Sequence, residues 1–205
     1  MSCAGYRGLL ARMALAVLLG GGFLFADQWM PYQFKGPALY KYKVMRHGGQ
    51  ESQVPAEAVY TLDITESEKK DSSGDSLYQI VCSVQAYLPK KDVGSNTFMG
   101  MSGLLAAAPA TALLNPMFSM AYSQVDLKVG EEQLLFDTIR IKVTGEESIA
   151  GVKGFVCEIY TKQKDKEVKS SDMVVHPELI LPLRSRVYSD GKLQSEMLLL
   201  DYQKH

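Results

Sequence analysis

Over most of this chain, apolar and polar side chains alternate residue by residue. A period of two is the mark of a half-buried β-strand. In residues 39–44, Tyr40, Tyr42 and Val44 share one face and Lys41 and Lys43 the other. In 59–65, Tyr60, Leu62 and Ile64 oppose Thr61, Asp63 and Thr65. Tyr78, Ile80, Cys82, Val84, Ala86 and Leu88 alternate along a long third strand. His47-Gly48-Gly49 supplies one turn, and the charged run 66–76, ending in Ser72-Ser73-Gly74-Asp75, reads as another. Strands return after Asp126, over 133–144, 155–162, 168–176, 183–188 and 193–202. Residues 145–154 read as a loop and 162–169 as a charged hairpin tip. Asp190-Gly191 is a strong hairpin signal between the last two strands. Long strands joined by short polar turns form an antiparallel meander. With roughly eight to ten strands, such a sheet curls.

One stretch breaks the alternation. No charge occurs between Asp92 and Asp126, and the composition turns to Met, Ala and Leu, which favour helix. Pro109 and Pro116 divide the stretch, so it predicts two or three short helices. Its large residues do not gather into one stripe, and a helix that is apolar all round is buried or faces something apolar. The expected fold is therefore mainly β with a helical insert: a curved antiparallel sheet, or unclosed β-barrel, with a helical lid. An apolar ligand would lie between the two. Phe98, Met101, Leu104, Leu105, Leu113, Met117 and Phe118 would line it from the lid, and Tyr42, Leu62 and Ile80 from the floor. Two alternatives stand beside this: a filled core that serves as an envelope interaction module, or membrane insertion through residues 97–121. The prolines and glycines of that stretch oppose a spanning helix.

Residues 1–26 read as a cleavable secretory signal. Arg7 and Arg12 precede the apolar run 13–25, which ends at Ala26. The expectation is a periplasmic protein with a single domain over 27–205. That domain keeps 20 Lys+Arg against 23 Asp+Glu, a net charge of −3. Nucleic-acid binding needs a basic surface, and this balance does not supply one. Cys82 and Cys157 remain after cleavage. They are either reduced core residues or, in an oxidising compartment, a disulfide. Of the histidines, His47, His176 and His205 are not at metal-ligand spacing. There is no Gly-x-Ser-x-Gly elbow and no phosphate loop. Asp63, Glu66, Asp137 and Asp172 fall on polar sides of strands and read as solvated. The sequence makes no case for an enzyme or a cofactor.

Three C-terminal elements carry a resemblance. They are Glu147-Ser148-Ile149-Ala150-Gly151 before a strand with Cys157, Pro177-Glu178-Leu179-Ile180-Leu181-Pro182-Leu183, and Leu199-Leu200-Asp201-Tyr202. Together they resemble exported proteins of the outer-membrane lipoprotein-sorting (LolA/LolB-like) superfamily. The likeness covers the last third of the chain by motif and the rest by architecture. It implies an unclosed antiparallel barrel with a helical lid, a cavity for lipid or lipoprotein acyl chains, and contact with the membrane or an envelope protein partner. It also implies an arginine beneath the lid, with Arg140, Arg184 and Arg186 as strand candidates.

Overall fold

The computed structural model describes residues 35–47, 57–87, 125–135, 137–163 and 166–205. These hold nine strands: β1 (Ala38–Arg46), β2 (Glu57–Lys70), β3 (Ser76–Ala86), β4 (Glu132–Leu135), β5 (Ile139–Ile149), β6 (Val152–Gln163), β7 (Lys166–Val175), β8 (Arg184–Ser189) and β9 (Lys192–Lys204). They form one sheet in the order β3-β2-β1-β9-β8-β7-β6-β5-β4, every pair antiparallel, and its ends do not meet. No helix occurs among the described residues. The expected lid falls outside them, as do Phe98, Met101, Leu104, Leu105, Leu113, Met117 and Phe118.

Residues paired across neighbouring strands share a face, so the register sorts the side chains. One row runs Val143–Cys157–Met173–Ser185–Met197–Val44–Ala58–Ala86, from β5 across to β3. Every member is apolar or small. The opposite face carries Glu132–Lys142–Glu158–Asp172–Arg186–Glu196 across β4 to β9. The alternation read from the sequence thus becomes one apolar face and one that carries this charged row, beside which Val156, Val174 and Leu198 flank Arg184.

Two hairpin turns are made the same way. Ala150 and Gly151 have φ of 50° and 78°, and Asp190 and Gly191 have 50° and 72°. Two consecutive left-handed residues are the two-residue turn that suits strand twist. The Asp190 turn was expected. The Ala150 turn replaces the loop expected over 145–154, because β5 continues to Ile149. The apolar period is broken at a bulge between Val143 and Gly145, where Thr144 is the extra residue. The charged run 66–76 is also mostly strand. β2 extends to Lys70, and the turn is confined to 71–75, where the Asp71 carboxylate accepts from the Ser73 and Asp75 amides at 2.8 and 2.9 Å.

The core has two clusters. One gathers Tyr40, Tyr42, Val44, Leu62, Ile64, Met197 and Leu199 with Leu179, Leu181 and Leu183 of the β7–β8 connection. The other gathers Ile141, Val143, Cys157, Ile159, Met173 and Val175 with Val125 and Leu127. The β7–β8 connection is held at its exit. The Leu183 amide donates to the Val174 carbonyl at 2.7 Å, the Leu199 amide to the Leu183 carbonyl at 2.8 Å, and the Tyr42 hydroxyl to the Pro182 carbonyl at 3.0 Å.

Gly154 lies against this exit. A Cβ there would sit 2.8 Å from Leu183 Cδ1 and 2.8 Å from the Val175 carbonyl oxygen. Backbone cannot rotate away, so Gly154→Ala should destabilise the fold by about 1–3 kcal/mol. Urea unfolding measures this as a lower midpoint with an unchanged slope.

Candidate functional site

The apolar face is covered unevenly. At β1, Tyr40, Tyr42 and Val44 are buried, and on β2 so are Leu62 and Ile64. The register partner of Ile64 on β3, Ile80, is 63% exposed. The cover over this face ends along β3, where Val84 and Ala86 are half-buried against the core and Ile80 is not. Of the floor residues expected from the sequence, Tyr42 and Leu62 pack in one cluster, and Ile80 extends their face to the open edge.

Tyr40 also belongs to a pocket of about 390 Å³ lined by Lys35, Pro37, Tyr40, Glu178, Tyr202 and Lys204. The Tyr40 and Tyr202 rings lie 5.2 Å apart, tilted. Burial, and then the Tyr202 hydroxyl, push Tyr40 up to about 12, so it stays a neutral phenol.

The thiols are apart. Cys82 is exposed on β3 and Cys157 is buried on β6, with five strands between them, and both are free. Burial pushes Cys157 up to about 12, which makes it an inert core residue. Cys82 accepts from the Tyr60 hydroxyl at 3.5 Å.

The charged face was not anticipated. Asp172, read as solvated, is only 3% exposed. It does stand on the polar side of β7, but that side is filled by ion pairs. Its Oδ2 accepts from the Tyr188 hydroxyl at 2.7 Å and lies 3.0 Å from Lys169 Nζ. Its Oδ1 is 3.7 Å from Arg184, which also pairs with Glu147. Lys169 reaches Glu158 at 2.8 Å, and Tyr160 donates to Glu158 at 2.8 Å. Arg186 meets Glu196 at 2.6 Å. The Lys169 hydrogen bond holds the Glu158 carboxyl below its usual range. Burial works against the Lys169 charge, but Glu158 and Asp172 outweigh it and its pKa is raised. By register, Arg140, Arg184 and Arg186 all stand on this charged face, so none of the three lies on the apolar one.

What the site offers chemically is apolar surface. Each carboxylate of the charged face named above is tied to a cation. No group of His, Cys, Asp or Glu among the described residues is placed to hold a metal ion. No helix among the described residues is long and apolar enough to cross a membrane.

No protein-family model matches the chain, and no curated protein matches it. Solved structures similar to it include MucB, with a TM-score of 0.41 and 14% identity over 87% of this chain and 55% of that one. MucB in complex with MucA(peri) gives 0.39 and 12% over 87% and 52%. The MucA/MucB complex of Pseudomonas aeruginosa gives 0.38 and 14% over 82% and 51%. The chain spans about half the length of the solved chains it matches.

Two predictions follow from the charged face. Asp172→Ala leaves Arg184, Lys169 and Tyr188 without their shared acceptor and should cost about 3 kcal/mol in urea unfolding. Glu158 has a folded pKa below its ordinary 4.5, so its contribution is complete above that value and is lost as pH falls through the folded one. Glu158→Gln should therefore lower the thermal midpoint at pH 7 and flatten its decline in acid.

Proposed function

We propose that the protein is a periplasmic carrier or binding protein for lipid or lipoprotein acyl chains. The ligand lies against the apolar face of the unclosed sheet, and the apolar residues of 98–118 supply the opposite wall. One observation carries this reading: a row of apolar or small residues spans eight strands, and along β3 its face passes from half-buried Ala86 and Val84 to exposed Ile80. An apolar face left open at one side is a place for an apolar ligand. Each methylene taken from water contributes about 0.8 kcal/mol, so one acyl chain is enough for reversible binding. The pocket beside Tyr40 adjoins the same face and extends the room available. The resemblance of the C-terminal elements to the lipoprotein-sorting superfamily points the same way. No catalytic role is proposed.

A second reading has its own observation. Tyr42 is completely buried and bonded to Pro182, so at β1 the face is already filled. On that reading the chain is an envelope interaction module, and the open side at β3 meets a protein instead of a lipid.

The test is mass spectrometry of an organic extract of the protein, purified from the periplasm without detergent. A near-stoichiometric lipid is expected. Ile80→Asp, at an exposed position, should weaken uptake of a fluorescent fatty acid about tenfold without changing the circular dichroism spectrum. No extractable lipid and no fatty-acid uptake would replace the carrier with the filled-core module.

A further inference from the structure

The two edges of the sheet are unlike. β4 is four residues long, and its Glu132 is tied to Arg140 and Lys142 of β5. Short length and charge are how proteins guard an edge against pairing with another chain. β3 has neither guard. Its 11 residues, SLYQIVCSVQA, contain no charge and no proline. It pairs with β2 on one side, and among the described residues no strand lies on the other. Leu77, Ile80 and Val81 are exposed, on both faces of the strand.

We infer that β3 is a pairing edge and that its occupant is β3 of a second copy of this chain, joined antiparallel about a two-fold axis. The strand suits itself. An antiparallel pair of two uncharged strands places no like charges opposite one another. Gln79, Ser83 and Gln85 lie on the Val81 face and can bond across the seam. Asp71 and Asp75 lie in the turn that enters β3, and Lys69 and Lys70 end β2 beside them. Antiparallel pairing sends the two charged turns to opposite ends of the seam, whereas parallel pairing would set like charges side by side. The formal charge is −1 over the whole chain and −3 over 27–205, so little long-range repulsion opposes the approach.

Symmetry fixes which side chains meet. A two-fold axis perpendicular to the sheet keeps each residue on its own face. With the axis at Val81, Val81 faces Val81, Ile80 faces Cys82, Tyr78 faces Val84 and Leu77 faces Gln85. The apolar face of β3 continues into the second copy. This pairing does not depend on whether the apolar face carries lipid.

The experiment is sedimentation velocity of the full chain over a dilution series, with Val81→Lys and Val81→Glu variants alone and mixed. Val81 is on the face opposite Ile80, so these changes leave the proposed lipid floor intact. The wild type should be a dimer that dissociates on dilution. Each variant alone should raise the dimer dissociation constant about tenfold or more, with an unchanged circular dichroism spectrum. The mixture should recover dimer, because Lys then faces Glu across the axis. As a second readout, a short bismaleimide should link two wild-type chains through Cys82, which stands diagonally across the axis from its copy, and Cys82→Ser should abolish the link. A wild type that stays monomeric at every concentration overturns the inference. So does a dimer that both variants form as well as wild type, or a mixture that recovers nothing.

Discussion

Register is the constraint on which this protein rests. Nine strands pair in a single antiparallel sheet, and their alignment separates a row of Val, Cys, Met, Ser and Ala from a row of Glu, Lys, Asp and Arg. A slip of one residue in any strand would turn its apolar side chains onto the charged face. Buried Asp172 would then lose its cations, and Met173 would be thrust among carboxylates. The ion pairs and the apolar core therefore enforce the same alignment from opposite sides. The extra residues Thr144, Ser170, Gln194 and Leu200 are places where the alignment is reset without being lost.

The β7–β8 connection shows how one sequence element serves several parts of the fold. Its leucines at 179, 181 and 183 are all buried, although they belong to no strand. Two backbone hydrogen bonds and the Tyr42 hydroxyl fix its exit. Gly154 is bare where this segment comes closest to β6. The connection thereby ties β1 and β9 to the β6–β7 hairpin, whose nearer strand, β7, stands three places from β1 and two from β9 in the sheet.

What could be read from the sequence was local. Alternation located seven of the nine strands, although β2 runs on to Lys70 and β6 starts at Val152, and it merged β4 and β5 into one over 133–144. Asp190-Gly191 announced its hairpin. The Ala150 turn was hidden because alanine rarely takes a positive φ, so no turn signal marked it. The carboxylate of Asp172 looked like any other on a polar face. Its burial depends on Arg184 and Tyr188, which are brought to it only by the pairing of β7 with β8. Likewise, nothing local told that Ile80 would be uncovered while Ile64 was enclosed, since both alternate in the same way. The expected lid residues lie outside the described residues, so the wall they were expected to form stands on composition alone.

The strand order also bears on how the chain is made. β1 lies between β2 and β9, and β9 is the last of the nine to leave the ribosome. The first three strands can pair as a meander early, but one side of β1 stays open through the synthesis of everything that follows. Tyr40, Tyr42 and Val44 gain their neighbours Tyr202, Leu199 and Met197 only at the end. Contacts so far apart in sequence form slowly, and until they form an unpaired apolar strand is on offer to any other chain nearby. A protein built this way has reason to be kept apart from its fellows until its final strand is in place.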